Sequence, residues 1–265
     1  MPELFGAGHD RETLAILLAL VKLPFMGERI WQAIGQPYWH GVNLNFHDLL
    51  GSDEFTGDAD IIGIPAINGA PDFDAMFAIE VKTYKFDFNG NLRAVGHKLD
   101  EADAQAHKLR RLGFEKTGIL HVLTTENKPE QDQGGSHGWW DASDRALGAY
   151  DQFEPLLAGR VRLHHVFVWP CGAHPSKSED QAGAGCPFLI GEPEAQRLER
   201  QSAAMRVKVV DSLKAMIANL PKPPVWGQTP WPTVFGRCVQ CAGVIQYFWN
   251  GTVCQTCRPT LQPGK

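Results

Sequence analysis

No apolar run in this 265-residue chain approaches the roughly 20 residues that a membrane-spanning helix needs. The longest one, Leu14 to Val21, also lacks the basic start and the small-residue cleavage site of a signal peptide. Both absences argue against an integral membrane protein and against secretion. We therefore expect a cytoplasmic protein.

An excess of basic residues is also lacking. Lysine and arginine number 25 against 30 acidic residues, which gives a formal charge of −5, whereas affinity for nucleic acid usually comes from basic side chains that meet phosphates. The distribution differs from the total, because acidic residues outnumber basic ones in residues 1–81 and 119–193, and the reverse holds in 82–118 and 194–265. A cluster of acidic residues is suited to binding a cation, and a basic segment is suited to binding a polyanion. The alternative is that the acidic and basic residues are distributed along the chain by chance.

Signals for strands and helices alternate along the chain. Short apolar runs at Gly57–Ile64 and Ala75–Tyr84, separated by the turn-rich Asn68–Asp72, predict a hairpin. Apolar periodicity predicts a helix at Leu99–Leu112, and a buried run predicts a strand at Thr117–Thr125. Further helices are predicted at residues 10–22, 28–34, 142–153 and 194–219, and a further strand at 161–169. The predicted class is α/β, with a mixed sheet covered by helices on both faces.

The length permits one main domain and a small accessory module. A proline-rich stretch, Pro221-Lys222-Pro223-Pro224, has the composition of a semi-rigid spacer. We therefore predict a main domain over residues 1–220, with a core at about 10–125 and an extension at 126–220. A linker at 221–235 and a small module at 236–265 complete the prediction.

The predicted hairpin carries acidic residues in an apolar setting. Alternate side chains of a strand share a face, so Glu80 and Lys82 lie side by side at the end of one strand, and Asp58 and Asp60 begin the other. Burying an ion pair gains little stability by itself. Carboxylates can bind a hard cation and a lysine can stabilise charge developing on a phosphate, which predicts phosphodiester hydrolysis. An exposed ion pair at a strand end is the alternative.

The segments GDADIIG at Gly57–Gly63 and FAIEVK at Phe77–Lys82 together resemble the PD-(D/E)xK nuclease superfamily, especially its restriction-endonuclease-like and Holliday-junction-resolvase-like branches. The resemblance implies a restriction-endonuclease-like sheet and a Mg²⁺- or Mn²⁺-dependent endonuclease that cuts DNA. It implies that Asp60, Glu80 and Lys82 are catalytic. It further implies that Asp60, Glu80 and the carbonyl of Val81 hold the metal. Ala59 stands where the motif has proline.

Three more residues are candidates for the same site. Asp58 can share or replace the role of Asp60, and a helical glutamate of this family corresponds better to Glu28 than to Glu12. Gln105 lies at the edge of its helix's apolar stripe, where some branches place a glutamine that points at the site; a solvated side chain is the alternative. The same helix carries four basic residues that suit either a phosphate backbone or a solvated face: His107, Lys108, Arg110 and Arg111.

Four of the six cysteines form two close pairs near the end of the sequence. Cys238-x-x-Cys241 and Cys254-x-x-Cys257 are spaced to bind one tetrahedral zinc ion, and the segment resembles a zinc ribbon that contacts nucleic acid or a protein partner. Disulfides are the alternative, in an oxidising compartment. A second metal group, Cys171, His174 and Cys186, fits no strong spacing pattern.

The sequence therefore predicts a metal-dependent endodeoxyribonuclease with a C-terminal zinc ribbon, acting in defence, in repair or in a mobile element. Two alternatives stay open. A ribonuclease can use the same core, since nothing here identifies the sugar. An inactive nucleic-acid-binding protein can act through its ribbon, although the presence of both acids and the lysine argues against it.

Overall fold

The computed structural model describes residues 37–51, 55–86, 91–92, 95–125, 151–157, 164–168, 170–171, 183–184, 188–190, 199–220, 225–226, 229–230, 233–238, 241 and 243–246. Helices and mixed strands alternate in these residues, which confirms the α/β class. The helices predicted at 10–22 and 28–34 lie outside them. In these ranges no helix is long and apolar enough to cross a membrane.

The helices and strands, in chain order, are β1 Pro37–Asn45, α1 Phe46–Leu50, β2 Asp58–Ile67, β3 Ala70–Pro71, β4 Phe77–Phe86, α2 Val95–Arg111, β5 Lys116–Thr125, α3 Glu154–Leu157, β6 His164–Val168, β7 Pro170–Cys171, β8 Gly183–Ala184, β9 Phe188–Ile190, α4 Arg200–Ala218, β10 Val225–Trp226, β11 Thr229–Pro230, β12 Thr233–Arg237 and β13 Val244–Gln246. The chain divides into two compact units. The first comprises Met1–Ile79, Leu109–Lys116 and Gln196–Lys265, and the second Glu80–Lys108 and Thr117–Ala195.

The predicted hairpin is confirmed and lies in the first unit. Strands β2 and β4 are antiparallel, with Ile61 opposite Ile79 and Gly63 opposite Phe77. A Cβ atom at Gly63 would overlap the Phe77 ring, so glycine makes room for this core aromatic. Between β2 and β4, Asn68 and Gly69 form the two-residue turn from β2 to the short strand β3, with φ values of 51° and 78°, a pair of positive angles that Asn-Gly accommodates.

One face of the first unit's sheet and the apolar stripe of α4 form a common core. Helix α4 contributes Met205, Val209 and Leu213, which recur at helical spacing as the sequence predicts, and also Met216. Its Arg206 guanidinium donates to the carbonyls of Gly113 and Phe73, each at 2.9 Å. Burial of these apolar side chains, together with these hydrogen bonds, fixes α4 within the unit.

The second unit combines the end of β4 with most of α2, nearly all of β5 and strands β6 to β9. Strand β5 is parallel to β6, and β6 is antiparallel to β9. Ala102 and Ala106 of α2 form a buried cluster with Ile119 of β5, because small side chains let the helix approach the strand closely. Helix α2 begins at Val95, earlier than the predicted Leu99.

The structure differs from the expected spacer at residues 221–235. Strands β10, β11 and β12 lie in this stretch, and β12 continues past residue 235 into the expected module. Strand β12 is parallel to β1, with Trp39 opposite Thr233 and Gly41 opposite Phe235. The sheet of the first unit therefore contains residues from both sides of the predicted boundary.

A buried histidine makes the stability of the first unit depend on pH. His40 of β1 is 1% exposed, and its burial lowers its pKa from 6.5 to about 3. As the pH is lowered, the unfolded chain therefore becomes protonated at this histidine at a higher pH than the folded chain does. The stabilisation is complete above pH 6.5 and is lost as the pH falls below it, by about 2 kcal/mol at pH 5.

We expect a His40→Gln variant to lose part of this pH dependence. Its free energy of unfolding in urea, compared between pH 7 and pH 5, should fall by about 2 kcal/mol less than that of the wild type. His47 is exposed, so His47→Gln is the control and should keep the wild-type difference. An unchanged pH difference in His40→Gln would assign the acid sensitivity to other groups.

Candidate active site

A shielded ion pair occupies the part of β4 that lies in the second unit. Glu80 and Lys82 share one face of the strand, and Lys82 Nζ lies 2.9 Å from a Glu80 carboxylate oxygen. The Glu80 side chain is 4% exposed and that of Lys82 is 19% exposed. The pair therefore does not match the alternative of an exposed ion pair. Because desolvation offsets much of the attraction, stability alone does not account for such a pair.

The two aspartates of β2, in the first unit, differ in their surroundings. Asp60 is buried and 8% exposed, whereas Asp58 is exposed at the start of the strand. A buried carboxylate loses hydration that its surroundings must replace, so Asp60 is the stronger candidate for binding a cation. Among the residues with described positions, no three His, Cys, Asp or Glu side chains are gathered as a metal group.

Val81 and Gln105 are the other described candidates. Val81 is buried on β4 between Glu80 and Lys82. Gln105 is partly buried on α2, and its Oε1 atom is shielded from solvent without a hydrogen-bond partner among the described residues. A solvated glutamine would expose this oxygen. The burial of Oε1 therefore argues against the alternative of a solvated side chain.

The basic residues of α2 are only partly presented to solvent. His107 and Arg111 are exposed, and Lys108 and Arg110 are partly buried. The Arg111 guanidinium lies 5.3 Å from the centre of the Phe55 ring, a cation–π distance. Arg111 thus has a packing role in addition to any contact with a phosphate backbone.

The first cysteine pair lies in the turn between β12 and β13. The backbone N–H of Cys238 donates to the Gly243 carbonyl at 2.8 Å, which closes the turn. Cys238 is 2% exposed and Cys241 is exposed. Cys171 lies in β7, opposite Gly183. The remaining predicted residues, Glu28, His174, Cys186, Cys254 and Cys257, lie outside the described ranges.

A buried polar group that the sequence interpretation missed lies in the second unit. His121 of β5 is 0% exposed, and its Nδ1 atom lies 3.2 Å from the Tyr84 hydroxyl. Two signals were available in the sequence: Tyr84 continues the alternation of Glu80 and Lys82, and His121 interrupts the apolar run of β5.

No known protein family, curated protein or solved structure matches this chain. Its function is therefore inferred from the site residues themselves.

Proposed function

We propose that this protein is a divalent-metal-dependent nuclease that hydrolyses phosphodiester bonds in DNA. The observation that carries the proposal is the shielded pair of Glu80 and Lys82. It provides an anionic oxygen ligand and a cationic nitrogen next to each other. These are the two charges that metal-assisted attack on a phosphodiester requires.

The proposal assigns Asp60 and Glu80 to one Mg²⁺ or Mn²⁺, with the Val81 carbonyl as a further ligand. All these donors are oxygen atoms, as hard cations prefer. When bound, the metal supplies Lewis acidity and makes a bound water more acidic.

Lys82 and Gln105 would then act on the substrate and on water. The Lys82 ammonium would stabilise negative charge developing on the phosphate, and its contact with Glu80 holds it on the face that carries the carboxylate. The shielded Oε1 of Gln105 can accept a hydrogen bond from the attacking water and so orient it. Asp58, which is exposed, is assigned a lesser role.

A structural zinc ion at Cys238, Cys241, Cys254 and Cys257 is the second part of the proposal. The backbone hydrogen bond from Cys238 to Gly243 supports it, because it joins the two ends of the short segment that carries Cys241. The surface around this segment would contact DNA or a protein partner. Metal analysis of protein purified without added zinc should give about one zinc per chain, and a metal-free protein would contradict this part.

The test of function is a cleavage assay on plasmid, linear duplex and single-stranded DNA and on RNA. We expect DNA cleavage with Mg²⁺ or Mn²⁺ and none with chelator, because the carboxylates alone cannot activate water for this reaction. Cleavage of RNA alone would favour the ribonuclease alternative. Tight binding without cleavage of any substrate would favour the inactive binding protein.

A further inference from the structure

Tyr84 lies on the same face of β4 as Glu80 and Lys82, one alternation further along the strand. Its ring is 1% exposed and is held from several sides. The Tyr84 hydroxyl lies 3.2 Å from His121 Nδ1, and the Phe153 ring packs edge-on at a centroid distance of 4.8 Å. The Tyr84 side chain is thus restrained by contacts on several sides, two residues along the strand from Lys82.

The side chain of Lys98 on α2 is hydrogen-bonded to the backbone of the same part of β4. Its ammonium donates to the carbonyl of Thr83 at 2.7 Å and lies 5.4 Å from the centre of the Tyr84 ring. Thr83 is the residue between Lys82 and Tyr84. The backbone next to Lys82 is therefore hydrogen-bonded directly to a side chain of α2.

Stability alone does not require polar groups at these positions. A buried hydroxyl and a buried imidazole each lose hydration, which their hydrogen bonds inside the protein have to offset. Replacing both partners with apolar groups of similar shape is often nearly neutral for stability. The rings of Tyr84 and His121 both contact the Phe153 ring, so each already contributes apolar packing.

We infer that Tyr84, His121 and Lys98 are positioning residues that fix the β4 backbone so that the Lys82 ammonium stays beside Glu80. This inference rests on the proposed function, since it assigns Lys82 a task in phosphodiester cleavage. A displacement of about 1 Å at a catalytic group can reduce a rate on the order of a hundredfold. Directional hydrogen bonds to Tyr84 and to Thr83 limit such displacement more strictly than apolar packing does.

The test compares Tyr84→Phe, His121→Phe, the double variant and Lys98→Met with the wild type and with His97→Gln, whose parent side chain is 78% exposed. For the double variant we expect kcat to fall about tenfold with KM unchanged and with a melting temperature close to that of the wild type. Lys98→Met should lower kcat in the same way, and Lys98→Arg, which keeps a donor, should restore most of it. His97→Gln should behave as the wild type.

A second measurement does not depend on nuclease activity. The rate of reductive methylation of Lys82, followed by mass spectrometry and normalised to the exposed Lys208, should rise several-fold in the double variant as the contact with Glu80 loosens. If the wild type cuts no substrate but Lys82 still becomes more reactive, the nuclease proposal fails and the positioning role stands. If both kcat and Lys82 reactivity are unchanged in the double variant, the positioning role is wrong. Tyr84→Phe removes a single oxygen atom and allows the same decision if larger changes fail to fold.

Discussion

Replacement of Glu80 by glutamine is expected to reduce metal-dependent DNA cleavage by about a thousandfold or more in a protein that stays folded. The amide keeps the shape of the side chain and removes the negative charge that a hard cation needs. It also removes the anionic partner that Lys82 contacts at 2.9 Å. Initial rates of plasmid nicking with Mg²⁺, at several metal concentrations, measure the effect.

Matched variants decide which carboxylates belong to the site. Asp60→Asn should be as severe as Glu80→Gln, and Asp58→Asn milder, because Asp60 is buried and Asp58 is exposed. Lys82→Met should keep the metal affinity and lose turnover. Glu101→Gln changes an exposed carboxylate, 54% accessible on α2, and should cut as the wild type does. Undiminished cleavage by Glu80→Gln would contradict the proposed site.

Local sequence signals predicted the elements that form from local interactions. The turn-rich segment between two apolar runs predicted that β2 and β4 pair, and within it Asn68 and Gly69 accept the positive φ angles of the turn from β2 to β3. The spacing of Met205, Val209 and Leu213 gave α4. In both cases a short stretch of sequence contains the interactions that determine the element.

Strand β1 was missed because its sequence argues locally against a strand. Pro37, Gly41 and Asn43 all read as turn residues, and Asn43 has a φ angle of 51°. The strand is extended because it is hydrogen-bonded to β2 on one side and to β12 on the other. The β12 pairing joins Trp39 to Thr233, two residues far apart in the sequence, and no local pattern reports such a contact.

The candidate site was predictable to a similar degree. Alternation along β4 correctly placed Glu80 and Lys82 on one face, because a strand has a fixed period of two residues. The shielding of the pair depends on neighbouring elements and could not be read from the strand itself. The same period applied to Tyr84, but an aromatic residue in a strand resembles ordinary core until its contact with His121 is known.

A chain truncated before Pro221 is expected not to fold, although the proline-rich composition alone had suggested that it would. The truncation removes β12, whose residues Thr233, Val234 and Phe235 are at most 5% exposed. It also exposes the backbone edge of β1 and the core face under the Phe235 ring. Loss of one buried phenylalanine side chain typically costs about 3–5 kcal/mol, and loss of the strand would exceed this and approach the whole stability of many domains.

Proteins of three different lengths distinguish the contribution of β12 to folding from the role of the cysteines. A chain ending at Gln246 retains β12 and β13 and should give a cooperative thermal transition, whereas a chain ending at Leu220 should be insoluble or melt without one. In the full chain, Phe235→Ala should lower the free energy of unfolding by about 3–5 kcal/mol. Arg237→Gln, which removes a partly exposed ion pair with Asp48, should cost only about 1 kcal/mol. A chain ending at Leu220 that unfolds cooperatively with wild-type stability would show that β12 is dispensable, and residues 221–265 would then be an independent module after all.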